Sequence, residues 1–298
     1  MNTSENPHPS SYYQRRDIGT LKISGADRLD LLHRLTTNDV RDLKPGRSAQ
    51  TALLTTKGRI IDILTIHCFD DHLLVNCAGG NQSAVQNYLA KYTITEDFHT
   101  SDATDKYGIV SLYGDGITEI LDSISKILGN HLVSIAKDGT GYIVVLQINS
   151  KDSLTNALND SGFSELTQDE YELFRIKSGI PVFAKELTDD FNPLDAGLER
   201  MISFTKGCYL GQEIIARLHS YHKVQHRLAV MELEGDCEPH LPAVIYEGEE
   251  QSGTITSCTR DTQTGKTYCL GYVGMQTKED EVMELRENEV TYPVKILS

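Results

Sequence analysis

One cysteine lies in a sequence setting that could make its thiol reactive. Cys208 lies between Gly207 and Gly211 in the string KGCYLGQE, and an apparent helix opens at Gln212. Glycine permits the tight turn that would lead the chain into this helix, and the unpaired N–H groups of a helix start favour thiolate. Lys206 adds a positive charge beside the turn. The pattern predicts a moderately activated cysteine.

The same residues permit other interpretations. A cysteine in a glycine turn is more commonly a small buried apolar residue. His219, His222 and His226 recur at helical spacing and could form a zinc or iron site with Cys208, but this spacing matches no standard zinc pattern. Cys208 and one of these histidines could also be the nucleophile and base of a hydrolase, although neighbours on one helix seldom reach the required geometry. We expect no metal site, since no CxxC or HExxH motif occurs.

A positively charged segment follows the cysteine in an otherwise acidic chain. It contains Arg217, His219, His222, Lys223, His226 and Arg227, whereas the 298 residues carry a formal net charge of −15. That net charge argues against broad nucleic-acid or membrane binding, because both favour basic surfaces. The segment instead predicts a local site for an anionic ligand.

Composition indicates a globular protein of a reducing compartment. Hydrophobic residues make up 39 % and charged residues 24 % of the chain, as in ordinary soluble domains. The six cysteines suggest no secreted disulfide framework, and no apolar run reaches the ~18–20 residues of a membrane span. Residues 1–11 are polar and lack the features of a targeting peptide. We therefore expect a cytoplasmic protein with a disordered tail over residues 1–11.

Apolar periodicity predicts an α+β protein, with helices packed on mixed or antiparallel sheets and a small antiparallel barrel at the C-terminal end. Strands are expected at 18–23, 48–55, 60–67, 73–77, 107–113 and 142–148. Helices are expected after the capping residues Ser24 and Asn81 and at 117–128, 152–159, 168–178 and 212–218. Short strands at 228–233, 243–246, 253–257, 267–273, 282–285 and 291–296 predict the barrel. The boundary falls near Arg227, between regions 12–227 and 228–298.

Five blocks of the sequence resemble one protein family. KGCYLGQE and its continuation to Arg227 are similar to the signature of the YgfZ-type folate-binding proteins, relatives of the glycine-cleavage T-protein (aminomethyltransferase) superfamily. Further blocks in the order of that superfamily lie at 35–40, 54–62, 175–181 and 192–198. The resemblance implies a T-protein-like multi-domain fold with a central channel, two interleaved α+β units and a C-terminal antiparallel β-barrel.

The resemblance also implies a ligand and residue roles. A tetrahydrofolate or derivative would lie in the channel, with its acidic tail near basic residues such as Arg217 and Arg227, and Asp62 and Asn76 fall in channel-lining blocks. The functional thiol Cys208 would lie in the motif of Lys206, Gly207, Cys208, Tyr209, Gly211, Gln212 and Glu213. The implied function is a folate-binding accessory protein for assembly or repair of iron–sulfur enzymes, with those enzymes or assembly proteins as partners. The alternatives are a folate-dependent aminomethyl or one-carbon transferase and a non-catalytic interaction scaffold with a vestigial channel.

Three positions depart from the aminomethyltransferase pattern. Asp62 is followed by Ile63, where those enzymes carry paired aspartates, and Phe183 replaces a tyrosine. Lys177 stands at the position of the pterin-binding glutamate, and an ammonium group cannot accept hydrogen bonds from a pterin. These departures argue against a classical aminomethyltransferase and make folate binding through Lys177 doubtful on chemical grounds.

Overall fold

The structure, a computed structural model, describes residues 10–139 and 141–298. The described chain forms two compact units, and neither is continuous in sequence. One contains the chain up to Thr51 together with Asp62–Thr167, and the other contains Ala52–Ile61 and Gln168–Ser298. Most of the predicted tail, residues 1–9, lies outside the described residues, and its last residue, Ser11, already begins a strand. The compact unit that holds the barrel therefore extends well beyond the predicted region 228–298.

The first unit is built on two five-stranded sheets. Its elements are β1 (Ser11–Gln14), β2 (Ile18–Ser24), α1 (Arg28–Leu35), β3 (Ser48–Leu54), β4 (Ile60–Cys68), β5 (His72–Ala78), α2 (Gln82–Lys91), β6 (His99–Asp102), β7 (Tyr107–Tyr113), α3 (Ile117–Leu128), β8 (Leu132–Asp138), β9 (Gly141–Gln147), α4 (Lys151–Asp160) and β10 (Ser164–Glu165). One sheet has the order β3-β4-β5-β2-β6 and the other β10-β1-β7-β9-β8. Segment 52–61, which contains the end of β3, the turn after it and the first two residues of β4, is assigned to the second unit.

Helix α3 shows how apolar spacing places an element on a sheet. Ile117, Ile120, Ile124 and Leu128 recur every three or four residues and are buried. They pack with apolar residues of β7 and β9 in one core cluster, as expected for one face of an amphipathic helix. The predicted helix over 117–128 is confirmed.

Helix α1 begins later than predicted. Ser24 was expected to cap it, but the helix starts at Arg28 with Asp27 as its N-cap residue. Gly25 has φ +110°, and a Cβ there would lie 2.0 Å from the carbonyl oxygen of Asp97. The backbone N–H of Asp27 donates to that same oxygen at 3.1 Å. The chain around Gly25 is therefore a turn held by Asp97.

The second unit contains a closed antiparallel barrel. Its elements are α5 (Gln168–Lys177), α6 (Gln212–Ser220), β11 (His226–Leu233), β12 (Ala243–Glu247), β13 (Glu250–Arg260), β14 (Thr267–Gly274), β15 (Val282–Glu287) and β16 (Val290–Ile296). The barrel order is β11-β14-β13-β12-β15-β16. Met231, Ile245 and Ile255 contribute to its core, and Ile176 of α5 packs outside it against Val230 and Leu270. The predicted six-stranded barrel is confirmed. Among the helices that the structure describes, none has the length and apolar character of a membrane span.

Candidate functional site

The turn that carries the cysteine lies against the segment between β3 and β4, inside the second unit. Gly211 has φ +84° and directly precedes α6. A Cβ on Gly211 would lie 2.9 Å from the Thr55 carbonyl oxygen and 3.3 Å from the Cα of Gly58. Gly58 has φ +71°, and a Cβ there would lie 3.2 Å from the Ile214 side chain. Only glycine readily allows this backbone conformation together with so close an approach. The family-like block at 54–62 and the cysteine motif therefore lie next to each other at Gly58 and Gly211.

Within this turn the thiol is exposed while its neighbours are buried. Cys208 is exposed, whereas Lys206 and Tyr209 are only 8 % and 7 % exposed. The Lys206 ammonium lies 5.1 Å from the centroid of the Tyr209 ring, which favours a cation–π contact. Burial raises the pKa of Tyr209 to about 12. The interpretation of Cys208 as a buried apolar residue is therefore wrong.

The positive segment after the cysteine is largely exposed. Arg217 on α6 forms no ion pair with any residue that the structure describes. Nη2 of Arg227, at the start of β11, donates to the Thr277 carbonyl oxygen at 3.1 Å. The segment therefore presents guanidinium groups that an anion could contact.

The three histidines of this segment do not converge. His219 lies 3.1 Å from Glu199 and stacks on Phe204 with ring centroids 4.0 Å apart. His226 places its ring edge-on to Phe191, and His222 follows the helix end with φ 51°. Across residues 10–139 and 141–298, no three His, Cys, Asp or Glu side chains form a group suited to a metal ion. The part of the chain that is described shows no hydrogen bond between Cys208 and a histidine either, so neither alternative interpretation gains support.

The side chain of Lys177 contacts two residues of the barrel region. Its ammonium lies 3.8 Å from Asp261 and 4.7 Å from the centroid of the Tyr268 ring. A cation held between a carboxylate and an aromatic ring remains a donor only. The structure thus gives Lys177 a role in joining α5 to the barrel.

A buried ion pair beside Lys177 was missed by the sequence analysis. Arg175 and Glu186 are both 0 % exposed, and Nη1 of Arg175 lies 3.2 Å from Oε2 of Glu186. The same guanidinium donates to Glu172 at 2.7 Å through Nε and to Ser257 at 2.7 Å through Nη2. Every charge in this cluster has a partner, which is the condition under which buried ions are tolerated. The only sequence signal was the family-like block over 175–181.

A β-bulge in β13 completes this cluster. The pairing of β13 shifts between Ile255 and Ser257, and Oε1 of Glu186 accepts hydrogen bonds from the Thr256 and Ser257 hydroxyls at 2.8 and 2.6 Å. Ile255 and Cys258 on either side pack in the barrel cluster instead. Because a bulge interrupts the strict alternation of strand side chains, two consecutive residues can reach one carboxylate.

Asp62 of β4 is a buried carboxyl group in the first unit. It is 2 % exposed and accepts hydrogen bonds from the N–H of Ile63 at 2.7 Å and from Nδ2 of Asn81 at 2.7 Å. The N–H of Ala78 donates to both its oxygens at 3.2 Å. Burial raises the pKa of Asp62 to about 6, although these donors oppose the shift. Asp62 is therefore a carboxyl group with a raised pKa that three N–H donors hold in one orientation.

Asn76 of β5 belongs to a separate hydrogen-bonded chain in the same unit. Its Oδ1 lies 2.7 Å from Nε2 of His67, and its Nδ2 donates to the Thr20 hydroxyl at 2.9 Å. Burial lowers the pKa of His67 to about 4, so its ring is neutral at pH 7. Nε2 then donates to Asn76, and Nδ1 accepts from the Ser134 hydroxyl at 2.8 Å. His67 was missed, although a histidine in the apolar run ILTIHCF was a visible signal.

The predicted site residues thus fall into two groups that are each described within one unit. Asp62 and Asn76 lie in the first unit, where His67 of β4 pairs with Asn76 and Asn81, the residue before α2, donates to Asp62. Lys177, Arg217, Arg227 and the cysteine motif from Lys206 to Glu213 lie in the second unit. Their assignment to a common ligand remains a prediction.

Comparison with solved structures identifies the architecture. The chain superposes on the glycine cleavage system aminomethyltransferase T from Bartonella henselae with a TM-score of 0.79, over 98 % of this chain and 86 % of that one, at 18 % identity. Residues 13–132 match the family model of the GCVT N-terminal domain. The chain has a T-protein-like fold. The prediction of an α+β T-protein-like fold with a C-terminal antiparallel barrel is confirmed.

Sequence relatives agree with this T-protein-like fold. An Arabidopsis thaliana protein named "Putative transferase At1g60990, chloroplastic" is 28 % identical over 279 residues, which are 87 % of this chain and 64 % of that protein. The matched region thus spans less than two thirds of that relative. An aminomethyltransferase of Rubrobacter xylanophilus is 23 % identical, over 94 % of this chain and 80 % of that protein. The narrower YgfZ-type assignment and the iron–sulfur role stay predictions.

Proposed function

We propose that this protein binds a reduced folate and transfers a one-carbon group, with Asp62 as the proton-accepting carboxylate. The observation that carries the proposal is the position of Asp62, a carboxyl group that is 2 % exposed and whose pKa is raised by burial to about 6. A T-protein-like fold and aminomethyltransferases among the relatives support the same reaction class.

The surroundings of Asp62 suit proton transfer. A carboxyl group with a pKa close to the working pH can accept a proton from a reacting amine and return it without a large energetic cost. The N–H of Ala78 and the amide of Asn81 fix the orientation of the carboxylate, so little reorganisation would be needed. A bound tetrahydrofolate would supply the ring nitrogen that receives the one-carbon unit.

The residues present fit a folate in part. Arg217 is exposed and lacks a carboxylate partner among the described residues, and Arg227 bonds only a backbone carbonyl there. Both could hold the acidic tail, because guanidinium groups match carboxylates well. Lys177 does not fit the amino edge of a pterin, since its ammonium only donates and already contacts Asp261. Recognition of the pterin would therefore require another acceptor.

Isothermal calorimetry with tetrahydrofolate tests this proposal. We expect binding to the wild-type chain and a roughly 10-fold weaker affinity for Arg217→Gln, because one charge-assisted hydrogen bond would be lost. Arg260→Gln is the matched control, since Arg260 pairs with the exposed Asp236 on the barrel surface. Absence of binding to the wild-type chain would instead favour the interaction scaffold, and equal weakening by both variants would remove Arg217 from the site.

A second candidate function rests on Cys208. An exposed thiol, held in a turn that Lys206 and Tyr209 anchor and that two glycines pack tightly, suits contact with another protein or a metal cluster. This arrangement favours a folate-binding accessory protein for iron–sulfur enzymes. In that role, transfer of a one-carbon group would not be required.

For this second candidate we expect Cys208→Ser to abolish function in cells and to leave the fold intact. The exposed side chain makes no hydrogen bond among the described residues, so the thermal unfolding midpoint should stay unchanged. The measurement is the activity of iron–sulfur enzymes in cells that lack the gene and carry the variant. Thr205→Ala, also exposed and on the same turn, is the control. Full rescue by Cys208→Ser would remove the thiol from the mechanism.

A further inference from the structure

Two cysteines face each other across the barrel hairpin formed by β13 and β14. Cys258 and Cys269 are directly paired in the antiparallel register, and their Sγ atoms lie 2.6 Å apart. Cys269 is 0 % exposed, whereas Cys258 is half-buried. Both pack in the barrel cluster, and a third cysteine, Cys237, packs against the same cluster. These three cysteines are separate in sequence from the Cys208 turn and from Asp62.

The backbone geometry of this pair suits a covalent bond. Residues directly opposite on antiparallel strands have Cα atoms about 4.5–5.5 Å apart, which lies within the range of about 4.4–6.8 Å that disulfides span. The register of β13 with β14 continues regularly on both sides of the pair, from Ser257 to Arg260. The two sulfur atoms can therefore be joined without moving the strands.

We propose that Cys258 and Cys269 are a redox site that forms a reversible disulfide by exchange with a small-molecule disulfide such as oxidised glutathione. The proposal does not depend on the proposed folate function. The hairpin supplies both thiols, and the oxidant supplies the disulfide that is reduced.

The exchange runs in two steps with a defined order. The Cys258 thiolate attacks one sulfur of the small disulfide, the S–S bond breaks, and one small thiol leaves with the proton of Cys258. The Cys269 sulfur then attacks Sγ of Cys258, and the second small thiol leaves with the proton of Cys269. Two electrons pass from the two cysteines to the small disulfide, and two small thiols are produced for each Cys258–Cys269 bond.

Accessibility explains why Cys258 reacts first. A small disulfide can approach the half-buried Cys258, whereas Cys269 is covered by the barrel core. The hydrogen bond with Cys258, followed by burial, also raises the pKa of the Cys269 thiol, which disfavours Cys269 as the group that attacks first. Its contact with Cys258 suits it instead to resolve the mixed disulfide.

A Cys258–Cys269 disulfide would link β13 to β14 next to the buried ion pair of Arg175 and Glu186. Cys258 directly follows Thr256 and Ser257, whose hydroxyls hold Glu186. A cross-link from Cys258 to β14 would hold this end of β13 in register. Oxidation would therefore limit the opening of the strand that carries two of the contacts to Glu186.

Peptide mapping of the full chain tests the proposal. The protein is equilibrated in buffers of varied reduced-to-oxidised glutathione ratio, denatured in N-ethylmaleimide so that every free thiol is blocked, and digested with trypsin and Glu-C. Both proteases are needed, because no Lys or Arg separates Cys237 from Cys258, whereas Glu247 and Glu250 do. We expect the label on Cys258 and Cys269 to be lost together at one ratio, with a linked peptide lighter by two hydrogens.

Cysteine variants distinguish a specific Cys258–Cys269 disulfide from non-specific oxidation of the chain. Cys237→Ser should still form the linked peptide, and Cys258→Ser should lose it and leave Cys269 labelled once the chain is denatured. The exposed Cys208 in the wild-type chain reports non-specific mixed disulfides in the same digest. The proposal is overturned if Cys258 and Cys269 keep their label at every ratio, or if Cys258 links to Cys237 instead.

Discussion

Replacement of Arg175 by methionine should lower the free energy of unfolding by about 3–5 kcal/mol, because Glu186 would remain buried without its cation. Both side chains are 0 % exposed, and the guanidinium also bonds Glu172 and Ser257. Urea unfolding followed by far-UV circular dichroism measures the loss. Hydrogen exchange in β13 and β14 would show whether it is concentrated in the barrel strands.

Two further variants make this prediction specific. Arg260→Met removes an exposed ion pair with Asp236 and should cost less than about 1 kcal/mol. Adding Glu186→Gln to Arg175→Met should recover part of the loss, because no uncompensated charge is then buried. If Arg175→Met costs no more than Arg260→Met, the buried pair does not stabilise α5 on the barrel.

Asp62→Asn should reduce one-carbon turnover by roughly 10²–10⁴-fold, the usual contribution of a positioned proton acceptor. An amide of the same size retains a carbonyl oxygen for the N–H donors of Ile63 and Ala78, but it cannot accept a proton at neutral pH. The measurement is the rate of methylene-tetrahydrofolate formation from an aminomethyl donor. Asp42→Asn, at an exposed position, is the control. Turnover equal to wild type in Asp62→Asn would exclude Asp62 as the base.

The same variant has a second readout in the pH dependence of stability. Because the pKa of Asp62 is raised in the folded chain from 3.8 to about 6, the folded state binds this proton more tightly than the unfolded state. Its contribution to stability is complete below pH 3.8 and is lost as the pH rises through about 6. Wild-type stability should fall by about 3 kcal/mol relative to Asp62→Asn over this window. Parallel curves for the two proteins would contradict the raised pKa.

The sequence correctly predicted the elements whose apolar spacing fits only one type of secondary structure. The buried face of α3 over Ile117–Leu128 and the six short barrel strands were recognisable because their apolar residues face one core. Strands β1, β6, β8 and β10 were not predicted. Ser11–Gln14 is only four residues long and follows a polar segment, and most of β8 is only half-buried, which weakens its apolar pattern.

Long-range contacts account for the errors at element ends. Asn81 precedes α2 as predicted, but its side chain makes no cap and instead donates to Asp62. Gly25 belongs to a turn that Asp97 holds, and Asp97 lies more than seventy residues later in the chain. A pattern in a short stretch of sequence cannot reveal a partner that lies far along the chain. Tertiary contacts therefore override local capping signals here.

Site residues within a sequence motif could be predicted. Those whose contacts depend on the packing of separate segments could not. KGCYLGQE predicted a glycine turn that leads into a helix, and Gly211 before α6 has that geometry, whereas the residue types alone favoured a buried cysteine and Cys208 is exposed. Arg175 on α5 pairs with Glu186 in the loop that follows, and His67 on β4 pairs with Asn76 on β5, and both pairings depend on how the chain folds back on itself. The bulge at Thr256, which aims two consecutive hydroxyls at one carboxylate, has no sequence pattern of its own.

The glycine pair that supports the cysteine turn has a consequence for synthesis of the chain. Thr55 and Gly58 leave the ribosome about half a chain length before Gly211, so this support cannot form until late in translation. A gene fragment that starts at Gln168 would omit both residues and would leave Ile214, whose side chain lies next to Gly58, more exposed. The barrel-containing unit therefore cannot be excised as one continuous stretch of DNA without losing part of its own structure.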